Sequence, residues 1–337
     1  MIIKSVKLSN FRSHTTYKLD CNKKTSLIIG ENGCGKTSIL EAIYIAMRGK
    51  SFRAVDREIL KWNEEFYRIE LDYKNGEKTV VTYDGNNKKF EVGDKKFSRL
   101  PKKYRYPIVL FEPDDLNLVG SSPSHKRDYF DRVLTQFSEE YNNCLLKYNK
   151  ALKQRNELLK SDFLSSDMVF SWNILLAKYG CEISKQRSKF IDEINKRITD
   201  VYRSIADNED EVNIIYQSQV SNVGESEYLK KIDIDFERDK IIGHTGFGIH
   251  RDDYIFEFNQ KKADGSASRG EVRSIVLALK FIEANLIFNK LNKRPVVLLD
   301  DVFSELDSMR QKSLVSNFRD HQVILTSVDG AGVNQAG

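Results

Sequence analysis

The most constraining feature of this 337-residue chain is a glycine-rich segment near its N-terminus, which reads GENGCGKT over residues 30–37. It fits the pattern G-x-x-x-x-G-K-[ST], follows the apolar run 27–29 and opens a helix-forming run over 38–43. A strand before such a loop and a helix after it are the context in which the pattern binds phosphate. The segment therefore predicts a nucleoside triphosphate site. The alternative is a glycine-rich turn that has no ligand.

Each residue of this loop has an expected role. Glycines let backbone N–H groups approach phosphate oxygens, and the positive helix N-terminus favours the same anion. We expect Lys36 to contact the β- and γ-phosphates of ATP and Thr37 to bind Mg²⁺ through its hydroxyl. The rest of the predicted ATP-binding loop consists of Gly30, Glu31, Asn32, Gly33, Cys34 and Gly35.

A second segment, VVLLDD over residues 296–301, predicts the other half of the site. Four apolar residues that end in acid are typical of a buried Walker B strand, which delivers a carboxylate to the carboxyl edge of a sheet. Asp300 is the expected Mg²⁺ ligand. Asp301 is the expected catalytic partner of Lys36, because its carboxylate can orient the attacking water. A strand that simply ends in a polar turn is the alternative.

Bulk properties limit the partners and the location of the chain. The net charge of +5 and the basic clusters at 102–105, 125–127 and 147–155 hint at a polyanionic partner. Each cluster could instead be a solvated surface. No window reaches the roughly 18 consecutive apolar residues of a membrane span. The four cysteines form no C-x-x-C pair, and the N-terminus lacks a signal-peptide pattern. We expect a cytoplasmic protein that does not bind membranes.

Hydrophobic periodicity predicts an α/β protein with an inserted helical lobe. Strand-like alternation marks residues 1 to about 115, helical spacing dominates from 123 to 207, and strands return after about 243. The predicted domains are an ATPase domain over 1–120 and 243–337, and a helical lobe over 121–242. Helices that pack on the sheet as ordinary crossovers are the alternative.

The order of the motifs carries more information than any one of them. A Ser-x-Gly-Glu turn at 268–271 precedes a long helix, and Ser-Glu-Leu-Asp follows the Walker B segment at 304–307. This order resembles the ATP-binding-cassette (ABC) ATPases. The resemblance implies an ATP-dependent homodimer, in which Ser268 and Gly270 of one subunit close on the ATP of the other.

Further segments resemble one bacterial family, the RecF proteins. These segments are LSNFR at 8–12, GKSFR at 49–53, FEPDDLNLVG at 111–120 and GIHRDD at 248–253. The NFR segment is also shared with Rad50- and SMC-type heads. The resemblance implies an ABC-ATPase fold of the P-loop, Rad50/SMC-head-like kind, with the helical lobe inserted. The turn SRGE at 268–271 replaces the SQGQ that is usual in the family.

The resemblance also implies a function in DNA replication, DNA damage repair and the SOS response. The expected protein is an ATP- and Mg²⁺-driven dimer that binds double-stranded or gapped DNA. It would help to load the recombinase through a RecR-like recombination mediator protein. Slow, DNA-dependent ATP hydrolysis would release the DNA.

Several alternatives stay open at this point. Asp301 is shorter than the glutamate usual at its position, so ATP could merely hold two subunits together in a nucleotide-gated scaffold that does not hydrolyse it. A Rad50-like nuclease partner would need a longer coiled coil and a Cys-x-x-Cys hook, which the sequence lacks. The NFR segment and the helical insertion argue against a transporter subunit. His250 could contact phosphate or a dimer partner, or be a structural histidine.

Overall fold

A computed structural model describes residues 2–21, 24–161 and 165–328. The chain divides into two compact units, the first formed by 1–115 with 283–337 and the second by 116–282. The sequence placed the corresponding boundaries after residues 120 and 242. The second boundary therefore differs by 40 residues, since it lies after residue 282. The boundaries differ because the first strand after residue 243 pairs with a strand of the second unit.

The first unit contains two sheets. The strands of the antiparallel sheet are β1 Ile3–Phe11, β2 His14–Asp20, β4 Tyr67–Tyr73, β5 Lys78–Tyr83, β6 Lys88–Val92 and β7 Lys95–Phe97, in the order β2-β1-β4-β5-β6-β7. The strands of the parallel sheet are β3 Thr25–Ile29, β8 Ile108–Phe111, β12 Val296–Leu299 and β13 Val323–Ser327, in the order β3-β13-β12-β8. Its helices are α1 Lys36–Arg48, α2 Asp56–Ile59 and α10 Ser308–Phe318.

The residue patterns explain why these strands form. Strand β4 alternates buried apolar residues with partly exposed polar ones, as expected for a strand with one covered face. Strands β8, β12 and β13 are buried at every position, as expected for a parallel sheet covered on both faces. Helix α1 contacts strands of both sheets and is buried along almost its whole length. The core of the unit therefore surrounds the helix that follows the phosphate loop.

The second unit is mostly helical. Its helices are α3 Pro123–Phe137, α4 Glu139–Leu158, α5 Ser166–Ala206, α6 Glu225–Ile234, α7 Phe236–Ile242 and the short α8 Ala263–Ser266. Its small antiparallel sheet consists of β9 Val212–Gln217, β10 Asp253–Phe258 and β11 Lys261–Lys262, in the order β11-β10-β9. Helix α9, Arg269–Leu291, begins in this unit and ends in the first.

Helices α4 and α5 form the antiparallel pair that the helical spacing predicts. Ser138 beside α4 contacts Gln186, whereas Arg155 near the other end of α4 contacts Asn173, so the two chains run in opposite directions. Between these points, a Cβ on Gly180 would lie 3.2 Å from the ring of Tyr148. The helices therefore pack closely where glycine removes a side chain. Within the described residues, no helix has the length and apolar character needed to cross a bilayer.

Candidate nucleotide-binding site

The predicted phosphate loop connects β3 to α1, as the sequence requires. Gly33 and Gly35 have φ values of 83° and 96°, a left-handed region that glycine adopts without strain. A Cβ at Gly35 would lie 2.5 Å from His14 Nε2 and 2.7 Å from Ser13 Oγ. His14 Nε2 itself lies 3.1 Å from the Gly35 carbonyl oxygen. The turn into α1 is therefore held against strand β2, in a conformation that only glycine fits.

Lys36 points back into the loop rather than into solvent. Its side chain is buried, and its Nζ donates to the carbonyl oxygens of Gly30 at 2.9 Å and Glu31 at 3.2 Å. The carboxylate of Asp301 lies 3.5 Å from the same ammonium. The two residues predicted to be catalytic are thus in contact.

The strand order brings the carboxyl ends of β3, β13 and β12 side by side. Thr37 Oγ1, at the start of α1, donates a 2.8 Å hydrogen bond to Asp300 Oδ1. Thr326 on β13 donates to the same oxygen at 3.0 Å and accepts a 2.8 Å bond from the Asp301 N–H. Both predicted metal-binding residues are therefore in direct contact, and one threonine of the neighbouring strand positions both aspartates. Sequence reasoning left the site role of Thr326 unassigned.

The electrostatics of Asp300 follow from this burial. Burial raises the pKa of the Asp300 carboxyl above its ordinary value, and the neighbouring Asp301 charge acts in the same direction. Hydrogen bonds from Thr37 and Thr326 and the charge of Arg53 oppose the rise in pKa without cancelling it. A cation beside Asp300 would therefore relieve an electrostatic cost that is built into the site.

The oxygen atoms present fit a magnesium ion bound together with phosphate. Magnesium prefers oxygen ligands and is commonly held by one or two carboxylates plus substrate phosphates. Thr37 uses its proton toward Asp300, which leaves the lone pairs of its hydroxyl for a metal. In the described part of the chain, no group of three or more His, Cys, Asp or Glu side chains could hold a metal by itself. A metal at Thr37 and Asp300 would therefore depend on phosphate oxygens.

A cluster of one glutamate and two arginines lies beside the loop. Arg12 forms two hydrogen bonds to the buried Glu41 carboxylate, of 2.9 and 2.8 Å, and Arg53 forms two more, of 3.2 and 3.1 Å. Ser51 donates a further bond of 2.6 Å. Burial favours the neutral form of Glu41, but these bonds and charges bring the pKa of its carboxyl below the ordinary value. Glu41 stays ionised and fixes both guanidinium groups.

An open cavity of about 410 Å³ lies beside the phosphate loop. Its walls include Arg12, Arg53, Asn32, Thr37 and Asp301. From the sequence, the NFR and SFR segments indicated only a resemblance to a family. The sequence patterns did not assign Glu41 to the site. The signal that could have identified Glu41 was an acidic residue on the otherwise apolar run after the phosphate loop.

Two predicted nucleotide-contacting residues belong to the second unit. Ser268 precedes α9, its N–H donates to Glu271 Oε2 at 2.6 Å, and its Oγ accepts from the Glu271 N–H at 3.3 Å. This reciprocal pair is a capping box, which satisfies the N–H groups at a helix start. The unusual Glu271 of the SRGE turn therefore orders the turn. The contact of Ser268 and Gly270 with ATP stays a prediction, because it needs a second copy of the chain.

His250 is a structural residue of the second unit. Its Nδ1 lies 2.8 Å from the Tyr148 hydroxyl, and its Nε2 lies 2.9 Å from the Thr245 carbonyl oxygen. Burial lowers the pKa of the imidazole to about 4, so the ring is neutral at pH 7. Both ring nitrogens contact groups inside the unit. This favours a structural histidine over one that contacts phosphate or a dimer partner.

Comparisons with known proteins agree with this geometry. The family described as "AAA ATPase domain" matches residues 1–264. The chain is 32% identical to the DNA replication and repair protein RecF of Clostridium acetobutylicum and 35% identical to that of Lachnospira eligens. Each alignment covers 97% of this chain and 92% of the relative.

A solved structure described as "the recombination mediator protein RecF-ATPrS in RecFOR pathway" has the same fold. Its TM-score is 0.87 at 27% identity, and the match covers 98% of this chain and 93% of that one. The expected ABC-type ATPase fold with a helical lobe is thereby confirmed. Full-length similarity to curated relatives, a matching fold and an intact phosphate loop lead to one conclusion: this chain belongs to the RecF family of DNA replication and repair proteins.

Proposed function

We propose that this chain is an ATP-dependent DNA-binding protein of recombinational repair that acts in the cytoplasm. Lys36 and the loop amides bind the phosphates of ATP, and Thr37 and Asp300 bind Mg²⁺. A magnesium ion held by these residues would supply positive charge to the phosphate oxygens of the bound triphosphate. A solved relative is described as a RecF–ATP structure, which supports this assignment of the ligand.

The observation that carries the proposal is the hydrogen bond between Thr37 and Asp300. It joins residues 263 positions apart in sequence at a distance of 2.8 Å. The hydroxyl comes from the phosphate loop and the carboxylate from the end of a buried strand. These are the two groups that hold magnesium in P-loop ATPases, and the sequence predicts each of them from a separate segment.

Two copies of the chain form the active state in this proposal. Ser268 and Gly270 of one copy complete the phosphate site of the other, and the positive N-terminal end of α9 favours the phosphates. The dimer presents basic surface to duplex or gapped DNA. Its affinity comes mainly from phosphate contacts, so it falls as salt rises. A RecR-like mediator then connects the complex to recombinase loading, in line with the pathway named for the solved relative.

Analytical ultracentrifugation with fluorescent duplex DNA tests this proposal. We expect Mg²⁺-ATP to increase both the sedimentation coefficient of the wild-type protein and the fraction of DNA that sediments with it. Lys36→Arg should lose both responses, because the larger guanidinium does not fit among the carbonyls that surround Nζ. The matched control is Lys89→Arg, since Lys89 is exposed on β6. DNA retention that is equal with and without ATP would contradict a nucleotide-gated complex.

A second candidate function is a scaffold that binds ATP without hydrolysing it. The contact between Asp301 and Lys36 favours this second function, because the Asp301 carboxylate lies 3.5 Å from the Lys36 ammonium and would have to leave that ion pair to orient the attacking water. Phosphate release by the wild-type protein and by Asp301→Asn, both with DNA present, separates the two functions. Hydrolysis that is slow in the wild type and reduced about 100-fold or more in the variant supports general-base catalysis. Equal rates support the scaffold.

A further inference from the structure

The parallel sheet of the first unit has a cleft at the edge opposite the phosphate loop. The cleft lies where β12 and β13 begin, whereas the nucleotide-binding residues follow the ends of β3 and β12. Its volume is about 720 Å³, which is larger than the cavity beside the loop. A strand of four residues such as β12 spans about 13 Å, so a ligand in this cleft and one at the loop would not collide.

The base of the cleft is apolar and partly accessible. It is formed by Phe288 near the end of α9, Tyr104 and Tyr106 before β8, and Val296 at the start of β12. Phe288 and Tyr104 are half-buried, and Ile2 at the margin is 39% exposed. Aromatic and aliphatic side chains in a concave site are what an apolar anchor residue binds.

Positive charge surrounds this base. The cleft is lined by six cationic residues and two acidic ones; the cations are Lys24, Lys74, Lys103, Arg105, Lys293 and Arg294, and the acids are Glu77 and Asp320. Asp320 is paired with Arg294 at 3.2 Å. With six cations against two acids, the lining of the cleft has a formal net charge of +4.

The walls of the cleft are fixed by hydrogen bonds. Gln322 accepts a 2.8 Å bond from the Ile3 N–H and donates a 2.8 Å bond to the Ile3 carbonyl. The ring nitrogen Nδ1 of His321 lies 3.0 Å from the Pro295 carbonyl oxygen. These bonds join the starts of β13 and β12 to their neighbours, so the cleft is formed before any ligand binds. A preformed site loses less entropy on binding than a mobile one.

We propose that this cleft binds an acidic peptide segment with an apolar anchor, carried by a partner protein. The apolar base accepts the anchor, and the cationic margin accepts the carboxylates. A DNA duplex would satisfy the margin alone, because it presents phosphates on its surface while its bases stay stacked inside the helix. This inference goes beyond the proposed function, since it concerns a surface on the other edge of the sheet and requires neither ATP nor DNA.

Fluorescence anisotropy with a labelled hexapeptide tests the proposal. The probe contains four aspartates followed by leucine and phenylalanine, and it is titrated with the full chain at low salt without nucleotide. We expect saturable binding that weakens about tenfold or more in the double variant Lys103→Glu/Lys293→Glu, because like charges then face each other. A probe in which serines replace the two apolar residues should also bind more weakly. A lysine-containing probe should recover binding to the double variant.

The matched control is Lys261→Glu/Lys262→Glu, which makes the same charge change on exposed β11 of the second unit. It should leave binding of the acidic probe unchanged. An equal loss in the control would show general charge attraction and overturn the proposal. Absence of saturable binding would also overturn it. A duplex DNA that displaces the probe and loses affinity in the same cleft variant would identify a nucleic-acid site instead.

Discussion

Gly33 and Gly35 lie two positions apart in the phosphate loop, with similar backbone angles and different surroundings. Both have a positive φ. A Cβ on Gly33 would have no heavy atom within 4 Å, whereas a Cβ on Gly35 would overlap the side chains of His14 and Ser13. Both positions therefore require a left-handed backbone, but only at Gly35 do neighbouring side chains also leave no room for a Cβ.

This difference gives a paired prediction. Gly33→Ala should cost about 1–2 kcal/mol of unfolding free energy, the usual cost of a left-handed alanine. Gly35→Ala should cost more and should also weaken ATP binding, because relief of the overlap displaces the side chains of Ser13 and His14, and His14 contacts the turn that begins α1. Urea unfolding and titration with a fluorescent ATP analogue measure the two effects. Equal losses in both variants would show that backbone strain alone decides the outcome.

At the residue scale the sequence predicted most of the loop and could not predict its contacts. Lys36, Thr37 and Asp300 stand out because a short pattern with a known mechanism contains them. Thr326 and Glu41 do not, because their roles depend on partners brought together by folding. Thr326 contacts Asp301 and Asp300, which follow β12 and precede Thr326 by 25 and 26 positions. No local sequence pattern predicts a contact over that separation.

At the element scale, Glu41 connects three separate segments of the first unit. Its carboxylate lies on α1 and binds Arg12 after β1, together with Ser51 and Arg53 in the turn beyond α1. Two of the four segments that resemble the RecF family, 8–12 and 49–53, thus converge on one buried acid. The contact holds the segments that line the nucleotide cavity.

We expect Glu41→Gln to destabilise the protein at pH 7 by about 1.5–3 kcal/mol, the usual contribution of hydrogen bonds to a charged group. The pKa of Glu41 is lowered in the folded state. Its stabilisation is therefore complete above the unfolded pKa of about 4.3 and is lost as the pH falls through the folded value. The difference between wild type and variant should shrink on acidification. Urea unfolding between pH 7 and pH 3 measures it.

The control is Glu58→Gln, because Glu58 is exposed on α2. It should change stability by less than about 0.5 kcal/mol at every pH. If the difference in unfolding free energy between wild type and Glu41→Gln does not vary with pH, the variant is destabilised by altered packing and not by the loss of the charge.

Helices and strands with a clear hydrophobic period could be predicted from the sequence. Short strands at the edge of a sheet or in the fully buried sheet could not. Strand β5, Lys78–Tyr83, lies within the region up to about residue 115 in which the sequence shows strand-like alternation. Strand β2 was missed, because its residues are mostly polar and it lies at the edge of its sheet. Strand β8 was missed because four buried residues show no period. The long helix that the sequence predicts after the turn at 268–271 is α9, which runs from Arg269 to Leu291.

At the scale of the whole molecule, the order of the parallel strands was beyond the reach of sequence patterns. Strand β3 comes from the first 30 residues, yet its neighbour in the sheet is β13 from residues 323–327. Periodicity identifies a strand but not its partner, since pairing depends on the complete fold. The same limit explains the second domain boundary, which was placed near residue 243 because strand character returns there. The returning strand instead pairs with β9 of the second unit.

The central position of β13 has a consequence for how the protein is made. Strand β3 ends at residue 29 and β13 ends at residue 327, so the strand before the phosphate loop lacks its neighbour until the ribosome has added nearly 300 residues. At about 5–20 residues per second, that delay is on the order of 15–60 s. During translation the loop and its helix exist well before Thr326 can position the two aspartates. The nascent chain therefore carries an unpaired strand edge for most of its synthesis, and such an edge can pair with another chain.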